Sequence, residues 1–265
     1  MKTYSRESYC HLLEVALKRG YEVVGFLDDD DVSGARIYLR HDVHSSFGPA
    51  LELAEINRSL GLRGTFCLLL RSQAYNLFSP WALDSARGLY ALGQRLAFHY
   101  VAPPILPVGD DELAAMILQD FEIVRRQLPE AEAVFSWHNP TPELMNRGLS
   151  LRVPGLVNAY SSKFVEQIRY VSDSNMRHSV DEFERIISEQ GDRALHLLFH
   201  PDHWIPGGPS VVEILGATWQ YVIRDAEREM QQNRVYQAML PDGMPDSVLQ
   251  GFSEQWCRST GSNAS

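Results

Sequence analysis

Residues 36–46 alternate along the chain: Ile37, Leu39, His41 and Val43 interleave with Tyr38, Arg40, Asp42 and His44. A period of two belongs to a strand, whose successive side chains point to opposite faces. One face is mostly apolar and suits a covering layer of helices. The other ends in Arg40, Asp42 and His44, groups that a chain does not bury without partners. Comparable patterns recur on either side. Residues 4–18 have helical spacing and stop at Gly20, and 22–27 are short and apolar. The run Asp28-Asp-Asp-Asp31 reads as a solvated loop. A helix is predicted over 48–60, ended by Gly61, and a buried strand over 65–70. A helix over 76–92 with Pro80 near its start leads to a third strand over 94–100. Residues 110–128 are the clearest amphipathic helix, acidic at the start and carrying Arg125 and Arg126 near the end. Further strands are predicted at 133–138, 155–159, 167–172 and 195–199, and further helices at 141–147, 180–190 and 210–232.

Strand and helix thus alternate about seven times with no compositional break that would mark a linker. Repeated β-α units argue for a parallel sheet, either closed as a barrel or doubly wound. No Gly-x-Gly-x-x-Gly follows the first strand and no Gly-x-x-x-x-Gly-Lys occurs, so a nucleotide-binding doubly wound fold loses its best support. The expectation is a (β/α) barrel of seven parallel strands in a single domain over 1–255, with the polar tail 256–265 disordered.

Composition narrows the class of function. At 265 residues and 45% hydrophobic, the chain is long enough for one barrel with a sizeable core. A net charge of −10 argues against nucleic-acid and anionic-membrane partners. Cys10, Cys67 and Cys257 are few and scattered, which suggests neither a disulfide framework nor a cysteine zinc site. The N-terminus lacks a signal-like apolar region, and no run of about 18 apolar residues is present. A cytoplasmic, reducing compartment is the expectation, and no feature specifies an oligomeric state.

The candidate chemistry lies at strand ends. His44, His99, His138, His200 and His203 fall at or just beyond the ends of predicted strands, as do Asp42 and Asp173. In a parallel barrel those ends meet on one rim, where catalysis is usually placed. Imidazole with carboxylate suits zinc or another divalent transition metal, and three protein ligands with an open position is the catalytic arrangement. His44, His99 and His138 are the candidate metal ligands, Asp42 the candidate base and His200 the candidate acid. Base and acid on opposite sides of a polarised carbonyl describe hydrolysis of an amide or ester. Candidate substrate contacts are Arg40, Trp137, Asp173, His203 and Trp204. For Asp173 a turn or cap role competes with orienting a histidine, and for both tryptophans an ordinary core position competes with stacking on a sugar. His196 is expected inside the barrel.

The segments Arg40-His-Asp-Val-His44, Arg63-Gly-Thr-Phe66, Arg95-Leu-Ala-Phe-His99, Ser136-Trp-His-Asn-Pro140, Tyr170-Val-Ser-Asp-Ser174 and Leu198-Phe-His-Pro-Asp-His-Trp204 resemble, in that order, the motifs of polysaccharide deacetylase-like proteins. The resemblance covers residues 37–204. It implies a distorted (β/α) barrel and metal-dependent removal of an acyl group from nitrogen on a sugar. It also implies that Asp42 is the base, that His200 is the acid, and that an arginine, Arg40 or Arg169, pairs with the base. Two positions depart from the family. A second acidic residue is replaced by His44, and the second histidine of a His-x-x-x-His motif falls on Pro103, leaving His138 as the natural substitute. The expected substrate is a small molecule or saccharide carrying an acylated amino sugar. An inactive carbohydrate-binding protein on the same barrel, or a metal-dependent hydrolase of a non-sugar amide, stays open on the same residues.

Overall fold

The computed structural model describes residues 3–28, 34–106, 109–189, 193–208, 210–248, 250–251 and 255. The tail at 256–265 and most of the four-aspartate run lie outside these residues. Among the described residues eight strands all pair in parallel: β1 (Glu22–Val24), β2 (Arg36–Val43), β3 (Thr65–Leu69), β4 (Arg95–Val101), β5 (Ala131–His138), β6 (Val157–Asn158), β7 (Arg169–Ser172) and β8 (Leu195–Phe199). Seven of them run β6-β5-β4-β3-β2-β8-β7 in one curled sheet, and β1 pairs with the start of β2. The result is a distorted (β/α) half-barrel, the architecture that the resemblance to polysaccharide deacetylase-like proteins implies. It is open between β6 and β7. The fifth expected strand shrinks to the two residues of β6, and among the described residues β6 and β7 do not pair.

Helices α1 (Arg6–Lys18), α2 (Phe47–Ser59), α3 (Pro80–Ala91), α4 (Asp110–Gln127), α5 (Pro142–Ser150), α6 (Ser162–Val165), α7 (Val180–Glu189), α8 (Pro201–Trp204), α9 (Val211–Met230) and α10 (Arg234–Met239) follow the strands. Side chains of Ser5, Ser46, Ser79, Thr141 and Ser210 cap the starts of α1, α2, α3, α5 and α9 by accepting an orphan backbone N–H. Among the described residues, no helix is long and apolar enough to cross a membrane.

The period-two reading of β2 separates two layers. Ile37, Leu39 and Val43 join the core between sheet and helices, while Tyr38 faces the interior cluster with Phe26, Cys67 and Phe164. His41 lies on the helix side, stacked on Phe66 with ring centroids 4.3 Å apart. Its Nε2 is 2.7 Å from the Tyr9 hydroxyl, which donates to Asn57 Oδ1. Asn57 in turn donates to Gln94 Oε1, which also accepts from the Gly64 backbone. This chain of polar groups ties α1, α2, β2 and the entry to β3 at the floor of the barrel. Burial pushes the His41 imidazole down to about 3, so it is neutral. His196 also lies inside, as expected, with Nδ1 3.1 Å from the Phe164 carbonyl oxygen.

Gly64 sits tight against this network. A Cβ there would lie 2.7 Å from His41 Cε1 and 3.1 Å from Asn57 Nδ2, both on side chains already fixed by hydrogen bonds. Gly64→Ala is expected to lower stability by about 1–3 kcal/mol, the range for overpacking a filled core. Urea denaturation checks this; an unchanged midpoint would show that the floor network yields freely.

Candidate metal and proton-transfer site

At the C-terminal ends of the strands, parallel pairing brings together residues far apart in the chain. β2 carries Asp42 inward and delivers His44 just past its end. β4 carries His99, β5 carries Ser136 and His138, and β8 leads directly into His200. The register pairs His99 with Ser136 across β4 and β5.

His44 Nε2 lies 3.0 Å from His99 Nε2 and 3.2 Å from His138 Nδ1, and His138 Nδ1 lies 3.3 Å from His99 Nε2. Three nitrogens bound to one tetrahedral zinc at 2.0–2.1 Å would be separated by about 3.3 Å. Burial lowers all three imidazoles, His99 to about 3, so each is in the neutral form that binds metal. Ser136 Oγ sits 2.7 Å from His99 Nδ1, which fixes that ring and turns the Nε2 lone pair toward the centre. A cation is the occupant that gives three converging lone pairs a common partner, so the donor set fits a divalent metal. Pro103, where the resemblance would have a second histidine, lines the same cavity of about 430 Å³ as His138. His138, on the neighbouring strand β5, is the third imidazole to converge there.

Asp42 lies under this group. Arg40 donates from Nε to Oδ1 at 2.7 Å and from Nη2 to Oδ2 at 2.6 Å. Both side chains are almost wholly buried, 0% and 3% exposed. Of the two candidate arginines, Arg40 makes the pair; Arg169 is an exposed residue of β7. Asp42 Oδ2 is also 3.4 Å from His99 Nε2. Burial alone drives the Asp42 carboxyl upward, but Arg40, His99 and His200 override it and hold it well below the usual carboxylate range. Asp42, His44 and His200 offer ligand atoms within 4.8 Å of one another.

His200 is the exception among the site's histidines. Burial pushes its imidazole down, but Asp173 outweighs that and raises it above 6.5. Asp173 Oδ1 lies 2.5 Å from His200 Nδ1, and Oδ2 accepts from the His200 backbone N–H and from Trp204 Nε1, each at 2.8 Å. His203 Nδ1 is 3.3 Å from the same oxygen. The carboxylate therefore orients the ring and favours its protonated form, with Nε2 left for the site.

The structure brings Asp42, His44, His99, His138, His200, Asp173 and His203 onto one rim. Of the five candidate substrate contacts, only His203 keeps appreciable exposed side chain, at 23%. Arg40 and Asp173 are buried against their partners. Trp137 sits on the outward face of β5, packed on Tyr100 and Phe135, because it alternates with the inward Ser136 and His138. Trp204 packs against Phe199 and Tyr4 while donating to Asp173. Neither indole has a free face for a sugar.

Four contributors were not singled out from the sequence. Ser136 shares the inward face with His138, a period-two signal that was available. Asp202 is a buried carboxylate on α8 that burial raises to about 6, against a hydrogen bond with Ser45. Tyr160 and Tyr170, whose hydroxyls are 3.2 Å apart, flank the open seam, and Arg40 lies 4.7 Å over the Tyr160 ring. No local pattern marks those tyrosines.

No family model and no curated protein matches this chain. Solved structures similar to it include a mutant of a CE4 family pseudoenzyme with restored enzymatic activity, at 14% identity over 74% of this chain and a TM-score of 0.40. Another is the chitin deacetylase of the fungal pathogen Colletotrichum lindemuthianum, at 17% identity over 68% of this chain and 92% of that one, with a TM-score of 0.34. The chain spans 62% of the length of the first. At such identities neither bears on the activity of this chain.

The Asp173–His200 pair gives a signed expectation. A histidine raised above its unfolded value of 6.5 contributes stability that is complete below that pH and is lost as pH rises through the folded value. In Asp173→Asn the imidazole loses the two largest contributions that raise it and keeps burial and Arg40 against Asp42, so its titration midpoint should fall, followed by NMR of the His200 ring. An unmoved midpoint would mean that Asp173 does not set the charge of His200.

Proposed function

We propose that this chain is a metal-dependent amide hydrolase that removes an acetyl or related acyl group from the nitrogen of an amino sugar in a soluble substrate. The observation that carries this reading is the meeting of three imidazoles lowered by burial, a buried carboxylate held low by Arg40 and a histidine raised by Asp173 at one barrel rim. His44, His99 and His138 would hold the ion, zinc by the preference of an all-imidazole donor set. When bound there, a divalent ion acidifies water and polarises a carbonyl.

The protein's own groups then divide the proton traffic. Asp42 is ionised at every working pH and accepts a proton from the attacking water at a carboxylate oxygen. The guanidinium of Arg40 keeps that carboxylate in place but weakens it as a base, so the reaction needs water of raised acidity. His200 carries a proton on Nε2 and gives it to the departing amine, with Asp173 stabilising the charged ring. Loss of the amine as a neutral leaving group requires that proton, which explains why one histidine of the cluster is held charged while its neighbours are held neutral.

Elemental mass spectrometry of the purified protein after incubation with zinc is expected to find about one equivalent per chain. A His44→Ala, His99→Ala double variant should lose it. No metal in the wild type would favour a metal-free carbohydrate-binding protein on the same barrel. Asp42→Asn should retain the ion and lose about 10²–10⁴-fold in acetate release from acetylated amino sugars. Full activity in that variant would remove Asp42 from the reaction.

A further inference from the structure

The seam left open between β6 and β7 is the entrance to a cavity of about 480 Å³. Its position relative to the proposed chemistry is specific. Asn139 in its wall follows His138, and Ser172 and Ser174 flank Asp173, the partner of His200. Tyr160 in its wall lies under the Arg40 guanidinium that holds Asp42, so the cavity adjoins the site through that stack. Tyr160 and Tyr170 line it with paired hydroxyls, and Ser172 and Ser174 with a second pair 2.7 Å apart.

Its charge differs from that of its neighbour. The lining holds Arg177 and His178 and no carboxylate, in a chain with 34 acidic and 24 basic residues. Arg177 is exposed and has no ion-pair partner among the described residues. The cavity on the other flank of Asn139, which His138 lines, holds Glu143 and no lysine or arginine. An anionic group on a bound molecule is thus favoured on the seam side and disfavoured on the other.

Backbone conformation singles out the same place. The described non-glycine residues with positive φ are Asn139 at 43°, Asn175 at 58° and Met176 at 49°. Asn139 and Asn175 line the cavity, and Met176 joins Asn175 to Arg177. Left-handed backbone is unfavourable for residues with a Cβ, for methionine more than asparagine, and it concentrates at ligand clamps.

We infer that the seam cavity binds an anionic substituent of the substrate through Arg177, so that the molecule deacylated is an N-acyl amino sugar bearing a phosphate or carboxylate. This inference rests on the deacylase reading. The hydroxyl pairs would meet the sugar's own hydroxyls, and Arg177 would meet the anion with charge-assisted hydrogen bonds.

The test uses zinc-loaded protein with N-acetylglucosamine, its 6-phosphate and the corresponding N-acetylated uronic acid. Acetate release gives kcat and KM, and calorimetry gives binding. The wild type should prefer a charged sugar to the neutral one, and the better of the two charged sugars identifies the anion. Arg177→Gln should reduce that preference about tenfold or more, mainly through KM, as loss of one charge-assisted contact does. Arg177→Lys should restore part of it, and metal content should be the same in all three proteins. Equal handling of charged and neutral sugars by the wild type, or a preference untouched in Arg177→Gln, overturns the inference. If no sugar releases acetate, the deacylase reading fails. Calorimetry still decides the cavity then, because tighter binding of a charged than of the neutral sugar, weakened in Arg177→Gln, supports the anion subsite, and its absence rejects it.

Discussion

Arg40 and Asp42 meet inside the barrel with almost no solvent around either, and the candidate site is arranged on that ion pair. Two charges removed from water lose hydration that their mutual attraction only partly replaces, so a buried pair is a poor device for stability alone. Here the geometry is bidentate, with Tyr160 under the guanidinium and His99 beside the carboxylate, while the buried Arg40 Nη1 has no hydrogen-bond partner among the described residues. Removing either partner would strand the other charge. A period of two makes the pair, because residues i and i+2 of β2 share the inward face.

From Asp42 the polar interior extends across the sheet. Cys67 on β3 lies among Asp42 and Ser136, its thiol pushed up to about 12 by burial and by Asp42, so it is a neutral member of the layer rather than a nucleophile. Ser136 on β5 then holds His99. The same low-dielectric surroundings act oppositely on different histidines. His44, His99 and His138 have no carboxylate in direct pairing strong enough to offset burial, and all are lowered. His200 has Asp173 against its Nδ1 and is raised. One barrel rim therefore holds lone pairs and a proton donor within reach of each other, the separation of roles that acid–base chemistry needs.

Much of the fold was legible because strand and helix periods differ. The alternation of 36–44, the amphipathic pattern of 110–127 and the glycine stops at Gly20 and Gly61 located elements to within a few residues. β6 was the weakest expectation and is the shortest strand, since residues 155–159 carry too little periodic pattern to set a register. Strand-end position gathered the histidines on a common rim. It could not separate outward from inward side chains beside them. Trp137 is one residue from both Ser136 and His138, and that single step turns it to the helix side.

Sequence by itself determined the strand faces, the order of elements and the residue types available at the strand ends, because these follow from local period and from covalent order. Tertiary structure alone decided which end residues converge. Parallel register set the nitrogens of His44, His99 and His138 about 3 Å apart, and burial set their charge. It also paired Arg40 rather than Arg169 with Asp42, and left the seam open beside Tyr160 and Tyr170. Each of these depends on distances between segments separated by tens of residues, and on how much water the packed chain excludes. No local pattern encodes either.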